Sequence, residues 1–80
     1  MSHMVYCNLV ENTFDTVTYK FGAFSDDLSG LLTFNFKTGV ITISKEPNKH
    51  VFDRHVQSLM HKHQNDFNHG IFAKKIAYEI

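Results

Sequence analysis

Eighty residues with a formal net charge of zero are enough for one domain, and they argue against a dedicated polyanion binder or a heavily acidic nucleic-acid mimic. Eight Phe and three Tyr make a core attainable in so short a chain, because each buried ring removes roughly 150–250 Å² from water. No apolar run reaches the ~18–20 residues of a membrane span, no signal peptide is visible, and the single Cys7 cannot close a disulfide within the chain, so the expectation is a cytoplasmic protein without a membrane segment.

Ser2-His3-Met4 reads as a cloning remnant joined to a native start at Met4, which leaves residues 5–80 as one domain. Val5 to Val10 suggests a short strand, followed by turn chemistry at Asn12, Thr13 and Asp15. From Thr16 to Phe24, Val17, Tyr19 and Phe21 alternate with Thr16, Thr18 and Lys20, the signature of a strand with one dry face. Gly22 marks a bulge or bend in it. Ser25 to Gly30 reads as a loop.

Gly30 to Ser44 is the clearest element: two alternating runs joined across Lys37-Thr38-Gly39, a β-hairpin. Two registers compete. A two-residue Thr38-Gly39 loop places Phe34 and Phe36 on one face with Ile41 and Ile43. A type I turn at Lys37-Thr38 with a left-handed Gly39 puts those rings beside Val40 and Thr42 instead. Burial favours the first register, while β-branched Thr38 suits the second.

Pro47 ends this strand, and Asn48 is positioned to cap a helix over Lys49 to Gln64. Its apolar stripe is Val51, Phe52, Val56, Leu59 and Met60, and that stripe is expected to cover the sheet. Asn65 to Gly70 reads as a loop. In the tail, Ile76, Tyr78 and Ile80 alternate as in a strand, although Phe72, Ile76 and Ile80 also fit helical spacing; the strand is preferred. The resulting fold class is α+β: a small antiparallel meander of three to five strands with one amphipathic helix on one face.

Chemistry is sparse. His50, His55, His61 and His63 follow one another at spacings of five, six and two, so no pair sits at the i, i+3 or i, i+4 spacing that helical metal ligands need, and no metal or cofactor is expected. Asp26 and Asp27 are adjacent, but neighbours on an extended chain point apart, which favours a turn over a cation site. No nucleophile elbow and no Gly-rich phosphate loop is present, so no catalytic residue is assigned and the protein is read as no enzyme. Tyr19, Phe21, Phe34 and Phe36 resemble a base-stacking platform in composition, yet the helix stripe needs the same rings.

Charge is unevenly divided. Residues 45–80 carry six Lys/Arg against four acids, while residues 1–44 carry two Lys against four acids. Partial protonation of the histidines near about pH 6 makes the helical half more basic still. The functional expectation is a small non-catalytic protein-binding module, of the bacterial or phage inhibitor, antitoxin or immunity type, or a homodimer through an exposed strand. Candidate contacts are Asp26 and Asp27 in the loop, with Arg54, His61 and Lys62 on the outer helix face. Nucleic-acid binding through the His/Lys-bearing helix is the alternative.

Overall fold

A computed structural model describes residues Met4 to Glu79; the readings made above for Ser2, His3 and Ile80 lie outside the described residues. Period-two alternation yields β1 (Met4–Asn12), β2 (Thr16–Gly22), β3 (Gly30–Asn35), β4 (Val40–Lys45) and β5 (Lys75–Glu79), with α1 (Asp53–Asn68) between the last two strands. The strands form one antiparallel sheet in the order β4-β3-β2-β1-β5. The α+β meander with one helix is therefore the observed architecture, and the tail is a strand.

Register explains the core. Cys7 lies opposite Phe21 and Ile76, Tyr19 opposite Leu32, and Phe34 opposite Ile41. All of these side chains fall on one sheet face, where α1 contributes Val56, Leu59, Met60 and Phe67. Large apolar side chains from every layer meet there, and Tyr19, Phe34, Leu32, Leu59 and Met60 have no solvent exposure. The opposite face is open and carries a threonine row, Thr18, Thr33 and Thr42, in which the Thr18 and Thr33 hydroxyls lie 3.0 Å apart.

The hairpin combines features of both expected registers. Phe34 shares its face with Ile41 and Ile43, as burial demands, but the connection is a four-residue turn, Phe36 to Gly39. Gly39 adopts φ 81° and its N–H donates to the Asn35 carbonyl at 2.7 Å. The Asn35 side-chain oxygen accepts from the Lys37 and Thr38 N–H groups, so Thr38 is spared a positive φ. Turn preference and burial are both satisfied because Phe36 leaves the strand and enters the turn, still buried.

The helix differs from its expected span at both ends. It starts at Asp53 rather than Lys49, with Phe52 at the cap position and no side-chain cap. Asn48 is engaged elsewhere: its N–H donates to Ser29 Oγ at 2.7 Å and its side-chain amide to Asp27 Oδ1 at 3.3 Å, holding the chain against the β2–β3 loop. At the other end the helix runs through the expected loop to Asn68. Gly70, at φ 75°, permits a Schellman stop in which Ile71 N–H donates to the Asp66 carbonyl and Gly70 N–H to the Phe67 carbonyl. The extra turn brings in Phe67, whereas Phe52 of the expected stripe is 42% exposed.

The strand expected to reach Phe24 ends at Gly22 because the following loop folds back on it. A Cβ at Gly22 would run into the Asp27 backbone carbonyl. Two substitutions separate the observed core from the expected stripe. Phe67→Ala lowers stability by about 3–5 kcal/mol in chemical denaturation, whereas Phe52→Ala, which gives up an exposed ring and its Arg54 contact, costs about 1 kcal/mol or less.

Candidate functional site

Of the expected contact residues, Asp26 is exposed and lines an open depression of about 380 Å³ with Tyr6 and Phe24. Asp27 is half-buried: its backbone pairs with Phe24 and its carboxylate accepts from Asn48. Those bonds give Asp27 a structural task in the loop. The outer helix residues Arg54, His61 and Lys62 are all exposed, and helical geometry confines them to a sector of about 100°. Arg54 stacks over the Phe52 ring at 5.0 Å, and the His61 ring meets Phe34 edge-on at 5.7 Å. Acidic loop and helix sector are thus two separate surface features on different elements.

The histidines are absorbed by packing and capping. His63 stacks on Phe67 at 6.1 Å, His50 meets Phe52 at 4.9 Å, and a ring nitrogen of His69 lies 2.7 Å from the Asn65 carbonyl. Buried His55 accepts a hydrogen bond from Arg54 Nε at 3.4 Å. Among the described residues no three side chains of His, Cys, Asp or Glu come together as a metal site.

A surface feature not singled out in the sequence lies at the end of the molecule where the β1–β2, β3–β4 and α1–β5 connections meet. Phe14, at the tip of the β1–β2 hairpin, is 87% exposed. Its turn is tightly organised: the Thr13 hydroxyl bonds the Asp15 carboxylate, the Thr16 hydroxyl and the Thr16 N–H, all within 3.0 Å. Beside it runs a shallow groove of about 390 Å³ between Lys37, Asn68 and Phe72, floored by Phe36 and Phe67. Ile71, 58% exposed, follows at the helix stop. The sequence signal was available, since Thr13-Phe14-Asp15 sets a large ring between two turn-forming residues.

The same end closes the sheet onto the helix. The Phe36 carbonyl accepts from Gln64 and Asn68, and the Tyr19 hydroxyl donates to the Ala73 carbonyl at 2.7 Å. Burial pushes the Cys7 thiol up from 9.0 to about 12, so it is no nucleophile at neutral pH. Burial, then the nearby charge of a Cys7 thiolate, pushes Tyr19 from 10.0 to about 12. No protein-family model, no curated protein and no solved structure matches this chain.

Both raised groups hold their protons more tightly when folded than when unfolded. Their contribution to stability is complete below about pH 9 and is lost as pH rises towards 12. Denaturation midpoints are expected to fall across that window, and Cys7→Ala to flatten the early part of the fall. Below pH 9 the native protein is expected to leave a thiol reagent unreacted until denaturant is added.

Proposed function

We propose that this protein is a small non-catalytic protein-binding module of the cytoplasm, of the inhibitor, antitoxin or immunity type, docking through the end of the molecule that carries Phe14. The observation behind this reading is the exposure of that ring on an ordered turn. The Thr13–Asp15–Thr16 bonds form whatever residue occupies position 14, so folding gives no reason for an aromatic there. A ring carried on an ordered turn has only two side-chain torsions left to fix on binding, and aromatic anchors of that kind dominate interfaces. Ile71 and the groove floored by Phe36 and Phe67 extend the apolar area, and Lys37, Asn68 and Asn12 supply a polar rim.

Nucleic-acid binding is less well supported. Tyr19, Phe21, Phe34 and Phe36 are buried in the core and unavailable for stacking. The cations are divided as well: Arg54 and Lys62 are on the outer helix, whereas register sets Lys20, Lys45 and Lys75 in one row across the open sheet face. Two weak basic surfaces on opposite sides release fewer counterions to one strand than a single continuous one.

The test is capture from an extract of the source cell, followed by purification of the captured protein and titration against variants. Phe14→Ala is expected to weaken binding about 30-fold or more with an unchanged thermal midpoint. Charge reversal at Arg54 with Lys62, or at Asp26 alone, measures whether those surfaces reach the same partner. Undiminished affinity in Phe14→Ala removes the docking site, and steeply salt-dependent binding to oligonucleotides would replace the protein partner with nucleic acid.

A further inference from the structure

β4 borders the sheet, so among the described residues no strand neighbours its outer row of backbone N–H and C=O groups. Sheets commonly guard such an edge with charge, proline, a bulge or a covering loop. The β5 edge obeys this, with Lys75 at its start and Glu79 at its end. β4 does not. Val40-Ile41-Thr42-Ile43-Ser44 carries no charge and four of its five residues are β-branched; the bulge that adds Ser44, and the charge of Lys45, are confined to its last two positions. The core also stops short here. Leu32 and Phe34 are fully buried, whereas their cross-strand partners Ile43 and Ile41 pack against the core but keep part of their surface in solvent, and Val40 is 59% exposed.

We propose that β4 is the interface of a twofold-symmetric homodimer, paired antiparallel with β4 of a second copy about an axis through Thr42. Period-two geometry decides the register. The two helix-bearing faces lie on the same side only if facing residue numbers add to an even total. An axis at Thr42 sets Ile41 against the second copy's Ile43, in both directions, and Val40 against Ser44. Lys45 lies past the Ser44 bulge, on the open face and clear of the isoleucine pairs. An axis at Ile43 would instead run Ile41 into the bulged end of the strand, and one at Ile41 would leave Ile43 facing the turn residue Gly39. Only the Thr42 axis gives both Ile41 and Ile43 an isoleucine partner.

The pairing extends features already present in one copy. Four isoleucines join the two apolar layers, and the Thr18–Thr33–Thr42 row continues across the axis into its symmetry mate. The result is a sheet of twice the width with both helices on one face. A second copy fits this edge better than an unlike strand does, because the uncharged segment is complementary to its own reverse.

Sedimentation equilibrium of the whole chain tests the proposal. The average mass is expected to rise from 9.3 kDa towards twice that value over about a hundredfold range of concentration. Thr42→Lys, at an exposed position on the open face, places two ammonium groups on the axis and is expected to hold the protein as a monomer whose thermal midpoint matches that of the parent at high dilution and does not vary with concentration. Thr42→Cys is expected to form an interchain disulfide on mild oxidation. Val40→Cys is not, since the two copies of position 40 are offset by about 13 Å along the strands; buried Cys7 contributes no background. A monomer at every concentration, a dimer that survives Thr42→Lys, or equal cross-linking at positions 40 and 42 would overturn it. Phe14→Ala leaves this dimer intact, so the β4 interface stands or falls independently of docking at the loop end.

Discussion

The docking of Phe67 onto the sheet is the contact on which the rest of this structure depends. Its ring lies within 6.2 Å of Tyr19, Phe34, Phe36 and Phe72, stacked nearly parallel on the last of these. Those rings come from β2, β3, the β3–β4 turn and the segment leading into β5. One side chain near the end of α1 therefore ties together elements remote in sequence. Gln64 and Asn68 on the same turn of helix satisfy the Phe36 carbonyl, which turns an otherwise non-directional contact into a fixed orientation. The Schellman stop at Gly70 then releases the chain at the point from which β5 can reach β1.

This arrangement also sets the chemistry of the interior. The face between helix and sheet is filled by aromatic and aliphatic side chains, and the one thiol in it is held protonated by its surroundings. Among the titratable side chains outside the core, Asp15 and Asp27 serve turns, His69 bonds the helix end and His63 stacks on a ring. What distinguishes the surface is apolar area where folding does not call for it: Phe14 on its ordered turn, Ile71 at the helix stop and the uncharged edge of β4. The docking proposed above would draw on surface features of that kind.

The strands, their faces and the sheet-covering role of the helix were legible because alternation reports burial directly. Val17, Tyr19 and Phe21 could face only one way, and so could Ile76 with Tyr78. The helix ends were harder to read. Asn48 has the chemistry of a cap but is drawn into hydrogen bonds with Ser29 and Asp27, a tertiary demand that local sequence does not display. Phe67 continues the stripe of Leu59 and Met60 by two further turns, yet the surrounding Asn and Asp residues resemble a loop; Gly70 was the cue that the helix ends later. Of the surface residues, Arg54, His61 and Lys62 face solvent as their spacing implies, while the importance of Phe14 emerges only once its exposure is known.

The placement of β1 has a bearing on how the chain matures. It lies between β2 and β5, so one side of the first strand is occupied by its immediate successor and the other by a segment translated after the helix, with Cys7 beside Ile76. While a ribosome is still making that segment, the nascent sheet exposes an unfilled seat along β1. Closing it requires one long-range pairing, a slow event relative to hairpin formation. By sequence separation alone, the hairpins of the first four strands would be expected to pair before β5 reaches β1.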